Sequence, residues 1–325
     1  MTNTHDSVPK AILYSWPTSV WSTVPLLCLF EKGYSEDEYI VRYVNICTVP
    51  TLVVPTLETT GADVDTRYRS LRDTISICDF LDHARSSSTG HVQHQDKPAP
   101  TLAPATIEGK GISDSIINLI HTYTVDPNFL ALSARNEAEL KEKVAGPQGK
   151  ALNLRREALQ GYLKEAKQAV ADSAIAPKEG TMSWEQKTVK FLEEKINSNE
   201  QIWEIYHGKG DMERQQQFFG VSRESWTRNL LDTMNELESL FKGPYVLGDQ
   251  VSLADLHCIS WLTRIVHVAG GTANAAGLES ISPYMGGYTF GPKMRKFWEE
   301  WVERDSFKKV LVPASKAFGT LNGSQ

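Results

Sequence analysis

Two nearby segments carry the residue types best suited to holding a small charged ligand. Thr48-Val49-Pro50-Thr51-Leu52-Val53 places a proline directly before an apolar β-type run. Proline lacks a backbone donor and is tolerated in a sheet mainly where a strand begins. Leu71-Arg72-Asp73-Thr74-Ile75-Ser76-Ile77-Cys78-Asp79-Phe80-Leu81-Asp82 reads as a strand end, an acid and a hydroxyl, then a helix with apolar Ile75, Cys78 and Leu81 on one side. Asp73 and Thr74 can cap that helix, engage a charged ligand, or do both. Other chemistries find less support. The four cysteines, Cys28, Cys47, Cys78 and Cys258, form no CxxC pair, and Cys28 and Cys78 fall within apolar helical patterns as buried free thiols do. The eight histidines show no HxxxH spacing, so no metal is expected. Gly270-Gly271 matches no phosphate loop.

Composition bounds the class of protein. The 325 residues, 41% hydrophobic and 23% charged, suit one large domain or two ordinary ones. A formal net charge of −6 with no basic stripe argues against nucleic acid as a partner. No apolar run approaches the roughly 18 residues of a membrane span. The polar start, 1–10, has no signal-peptide core, so a cytoplasmic protein is expected.

The elements that must position these residues follow from periodicity. Strands are expected at 11–14, 39–44, 51–54 and 67–71, with helices at 23–32 and 74–81. Pro25 would sit in the first turn of its helix, where its missing N–H is harmless. This order describes an α/β domain. A stretch rich in Ser, Pro and turn formers follows, and beyond it the period is helical, near 112–123, 137–143, 151–171, 183–206, 222–242, 253–267 and 293–311. The expected division is an α/β domain over 1–85, a linker over 86–110 and an all-α domain over 111–325. Ser252-Leu253-Ala254-Asp255 is a capping box with Asp in place of Glu or Gln, which fixes the entry of one helix. Trp203, Trp226, Trp261, Trp298 and Trp301, at helical positions, read as mostly core.

A small α/β domain followed by helices containing Gly243-Pro244-Tyr245-Val246-Leu247-Gly248-Asp249-Gln250-Val251-Ser252-Leu253-Ala254-Asp255 resembles the glutathione transferase superfamily over most of the chain. Val49-Pro50-Thr51-Leu52 is similar to its cis-proline loop, and Asp73-Thr74 to its acid-plus-hydroxyl pair. Phe297-Trp298-Glu299-Glu300-Trp301 with Ser306-Phe307-Lys308-Lys309-Val310 resembles its C-terminal helix. The insertions look most like those of fungal, serine-type members, including those of secondary metabolism. The resemblance implies a thioredoxin-like N-terminal domain, an all-α C-terminal domain, glutathione as cosubstrate and a homodimer.

It also implies roles. The backbone of Val49, before Pro50, would pair with the cysteinyl backbone of glutathione. Asp73 and Thr74 would take the γ-glutamyl ammonium and carboxylate. A hydroxyl after the first strand would donate to the sulfur and favour the nucleophilic thiolate. Counting back from Glu31-Lys32-Gly33 puts Ser19 there, with Ser22 and Tyr14 as alternatives; Ser22 or Thr23 also reads as the cap of the first helix. Two features depart from the family pattern: 45–48 replaces the usual helix, and Val54-Pro55-Thr56-Leu57 repeats the proline string, so either Pro50 or Pro55 fits the cis position. The implied activity is transfer of the glutathione thiolate to a small apolar electrophile, in a pocket between the Ser19 loop and the helix at 112–123, lined by Tyr123. Glutathione-dependent cis-trans isomerisation of a conjugated alkene and a non-catalytic regulatory role are the alternatives.

Overall fold

Strand β1 (Ala11–Ser15) leads into helix α1 (Val20–Glu31), and β2 (Tyr39–Tyr43) returns parallel to β1. Next come β3 (Thr51–Thr60), β4 (Asp63–Leu71) and α2 (Thr74–Ala84). The four strands form one mixed sheet in the order β2-β1-β3-β4, with β3 antiparallel to both neighbours. This computed structural model describes residues 10–44, 49–60, 63–85, 99–173 and 181–321. The segment 45–48 with Cys47, and 86–98 of the expected linker, lie outside the described residues. The remaining helices are α3 (Ile107–Ile120), α4 (Pro127–Leu132), α5 (Glu137–Ala145), α6 (Pro147–Asp172), α7 (Trp184–Tyr206), α8 (Met212–Glu224), α9 (Leu230–Leu240), α10 (Leu253–Val268), α11 (Pro292–Glu303) and α12 (Val312–Leu321). The fold class is therefore the expected one: a thioredoxin-like α/β part with a helical remainder.

The chain forms two compact units. The first joins residues 1–130 to 225–319 and holds the sheet, α1, α2, α3 and α10. Helix α10 is its centre: every residue from Leu253 to Val266 is buried, as a helix that is mostly apolar all round must be. It packs on α1 and α3. The second unit covers 131–224 and 320–325. There α6 and α7 pack along one another, with Trp203 donating to Asn153 Oδ1 at 2.6 Å and lying beneath the Arg156 guanidinium at 4.2 Å. Among the described residues no helix is long and apolar enough to cross a membrane.

Several local expectations need correction. Helix α1 starts at Val20, not 23, so Ser19 occupies the N-cap and Pro25 falls in the helix interior rather than in its first turn. Strand β3 does not stop at Val54 but runs through Pro55, which pairs with Tyr68. Pairing with β1 ends at Val53, and the side of β3 left open there accommodates a residue without a donor. Helix α3 begins at Ile107 because the Thr106 hydroxyl accepts from Gly109 N–H at 3.0 Å, and it ends before Tyr123. The expected helix at 222–242 is divided between α8 and α9 by a π-type turn at Ser225–Asn229. The one at 293–311 breaks after Glu303, where Arg304 becomes extended. There its guanidinium grips both carboxylate oxygens of Glu31, at 3.1 and 2.6 Å.

Candidate functional site

The sheet register brings the sequence-selected residues to one edge. Tyr14 pairs with Thr51 and Leu52 with Leu71. The end of β1, the start of β3 and the end of β4 therefore lie together. Continuing the β3–β4 register by two steps sets Pro50 across from Asp73. Continuing the β1–β3 register sets Val49 across from Trp16, whose carbonyl accepts from Ser19 N–H at 2.9 Å. The amino termini of α1 and α2 open at this same edge.

Of the two candidate prolines, the cis bond is at Val49–Pro50. Pro50 is buried and Val49 half-buried. The backbone N–H and C=O of Val49 find no backbone partner among the described residues.

Asp73 is the N-cap of α2, and its Oδ1 accepts from Ser76 N–H at 2.8 Å. Partial burial alone would raise its pKa, but hydrogen bonds from Ser76 and from the backbone of Asp73 and Ile75 together outweigh it and hold the carboxyl below its ordinary range. Asp73 is exposed, with Oδ2 outside that cap bond; Thr74 beside it is buried. The α2 terminus thus offers a negative group for a cation and a positive dipole end for an anion within one residue of each other.

The four candidate hydroxyls after or within β1 differ sharply. Ser19 is half-buried, and although it occupies the N-cap its side chain makes no cap bond. Ser22 is fully buried with its hydroxyl unpartnered among the described residues. Thr23 is turned inward, its Oγ1 donating to Val20 carbonyl at 2.6 Å. Tyr14 is a half-buried strand residue. Tyr123, expected on a helix, stands in a short 3-10 turn, is 64% exposed and rests against Phe129.

The structure adds residues that the sequence reading passed over. Arg264, 6% exposed on α10, donates from Nη1 to the carbonyl of Thr18 at 2.8 Å, the peptide group that leads into Ser19. Burial lowers its pKa to about 10. Trp21 stacks on His121 at 3.8 Å between ring centroids and donates to Asp126 at 3.1 Å. His121 in turn lies 3.1 Å from the Nδ1 of buried His257. Burial, with a contribution from His121, lowers the His257 pKa to about 3, so its ring is neutral. The signal for Arg264 was a lone cation inside the apolar run of α10; the helical period alone assigns it no face.

No protein-family model matches the sequence, and no curated protein matches it either. Among solved structures, the chain is similar to the trimeric glutathione transferase TDR1 of Leishmania at TM-score 0.46 and 14% identity, over 96% of this chain and 48% of that one. It therefore spans about half the length of that protein. A maleylacetoacetate isomerase from Anaeromyxobacter dehalogenans 2CP-1 with bound GSH gives 0.46 and 15%, over 94% and 96%. The glutathione transferase Omega 3C of Trametes versicolor gives 0.43 and 13%, over 96% and 90%.

Proposed function

We propose that this protein is a glutathione-dependent transferase of the glutathione transferase superfamily. One observation carries the reading: the register gathers at one end of the sheet a hydroxyl and a backbone segment without partners among the described residues, and an acid-hydroxyl helix terminus. Each matches a different part of a γ-glutamyl tripeptide. Asp73 takes the ammonium, and Thr74 with the α2 amino terminus takes the adjacent carboxylate. Val49 pairs with the cysteinyl backbone through its N–H and C=O.

This placement leaves the cysteinyl sulfur near the Ser19 loop. A Ser19 hydroxyl donating to the sulfur favours thiolate over thiol. A hydrogen bond to a charged group is worth about 1.5–3 kcal/mol, which lowers a thiol pKa by about one to two. The thiolate then attacks a small electrophile with an apolar body, held beside it so that proximity adds to activation. The reading includes a cytoplasmic homodimer.

Calorimetry with glutathione tests the binding half, with measurable heat of binding as the expected result and its absence the refuting one. Mass balance with an activated aryl halide tests the chemistry. Conjugate formed in step with glutathione lost supports transfer. Turnover of a conjugated alkene with only catalytic glutathione would replace transfer by isomerisation.

A further inference from the structure

Arg264 is an unusual residue to find in the middle of this fold. Helix α10 is buried on every side from Leu253 to Val266. A guanidinium in such surroundings is costly unless its donors and its charge are matched. Among the described residues both are matched only in part. Among the described residues no carboxylate forms an ion pair with it. Of its several N–H donors, Nη1 is the one with a partner among the described residues, the Thr18 carbonyl at 2.8 Å. The ring of Phe318 covers the guanidinium at 4.0 Å from its centroid, which compensates part of the charge but accepts no in-plane hydrogen bond.

A second polar group shares this environment. His267 lies three residues on, so it stands on the same side of α10 as Arg264. Its ring meets Phe318 edge-on at 5.7 Å, and its Nδ1 is buried with no partner among the described residues. Burial and the neighbouring guanidinium both lower its pKa. Among the described residues the cluster therefore offers donors and positive charge, and no acid. Its location is set by Thr18: whatever binds to Arg264 lies next to the peptide leading to Ser19.

We propose that Arg264 forms an anion subsite of the same site, which takes a carboxylate carried by the electrophile. This rests on the glutathione reading above and narrows its substrate class, from a small apolar electrophile to an apolar one bearing an acid. The planar guanidinium suits a carboxylate, whose two oxygens can accept parallel hydrogen bonds. A role limited to bracing the Ser19 loop would need only the single bond to Thr18, and lysine or glutamine would supply it without adding an unmatched fork.

Two probes of equal shape separate these roles: S-(4-carboxybenzyl)glutathione and its neutral isostere S-(4-carbamoylbenzyl)glutathione, titrated calorimetrically into the full-length protein. The carboxylate probe is expected to bind about tenfold tighter or more. In Arg264→Gln that preference is expected to vanish while the neutral probe binds nearly as before, and Arg264→Lys is expected to keep part of it. Should Arg264→Gln fail to fold, the lysine variant decides: a reduced preference supports the subsite and an unchanged one overturns it. Equal binding of both probes to the wild-type protein overturns the subsite alone. Binding of neither probe overturns the glutathione reading and the subsite with it. A loss in Arg264→Gln that is equal for both probes assigns the residue to loop bracing and also overturns the subsite.

Discussion

The carboxylate of Asp73 accepts the backbone N–H of Ser76 at 2.8 Å and so caps α2. The same group is the one assigned to the glutathione ammonium. Asp73→Asn and Asp73→Ala separate the two roles, because asparagine caps about as well as aspartate but carries no charge. Asp73→Ala is expected to cost about 0.5–2 kcal/mol of stability through the lost cap, and Asp73→Asn close to none. Both are expected to weaken glutathione binding by about tenfold or more. Asparagine matching wild type in a glutathione titration would reduce Asp73 to a cap.

Ser19 and Ser22 make opposite predictions. Ser19 sits at a cap position but its side chain makes no cap bond, so Ser19→Ala is expected to leave the melting temperature nearly unchanged. Loss of a donor worth about 1.5–3 kcal/mol to the thiolate costs about ten- to a hundredfold in kcat, and that is the expected effect on conjugation, with glutathione binding retained. Ser22 has a fully buried, unpartnered hydroxyl. Removing it should be neutral or slightly stabilising and leave activity intact. An inactive Ser22→Ala with an active Ser19→Ala would exchange their roles.

Much of this site can be read from the sequence because its signals are local. A proline before a β-type run marks the Val49–Pro50 turn, and Asp73 before an apolar-periodic helix marks the α2 terminus. The choice between Pro50 and Pro55 is not local. It depends on where β1 stops pairing with β3, which the register after Val53 decides. The start of α1 is obscured because Trp16-Pro17-Thr18-Ser19 and Ser22-Thr23 offer competing caps, and tertiary packing of Val20 and Val24 into the core selects the first. Arg264 escapes a sequence reading for a related reason. Its partner, the Thr18 carbonyl, is a backbone group 246 residues away, and no side-chain pattern announces it.

Acid stability is expected to follow His257 and Asp255, two buried groups of α10 that titrate at acid pH and act in opposite directions. The pKa of His257 falls from its ordinary 6.5 to about 3 in the fold, mainly by burial. Its stabilising contribution is complete above about pH 6.5 and is lost as pH falls toward 3, because only the unfolded chain takes up the proton. Asp255 is raised from 3.8 to about 6 by burial, against bonds from Ser252 and Val246. Its contribution is complete below about pH 3.8 and is lost as pH rises through 6. His257→Gln removes one of the two. Between pH 7 and pH 4.5, urea unfolding should show wild type losing more stability than the variant, by about 2–3 kcal/mol. Parallel stability curves would mean that His257 titrates normally in the folded protein.

Lys32 and Asp82 meet at 2.7 Å with side chains 0% and 3% exposed. The pair is fully engaged: Lys32 also donates to the Pro100 carbonyl at 2.6 Å, and Asp82 accepts from the N–H groups of Leu102 and Ala103 at 2.9 and 3.0 Å. It therefore ties the carboxyl ends of α1 and α2 and the chain entering α3 into one network. Removing one partner leaves a buried charge unmatched, so Lys32→Met is expected to destabilise by about 3–5 kcal/mol. Asp82→Ala should cost at least as much, because it also frees two backbone donors. The double variant Lys32→Met/Asp82→Leu restores neutrality but not those backbone bonds. Its expected stability lies above that of either single variant and below wild type. A double-mutant cycle by urea unfolding measures this coupling, and simple additivity of the two losses would show that the charges are not paired in solution.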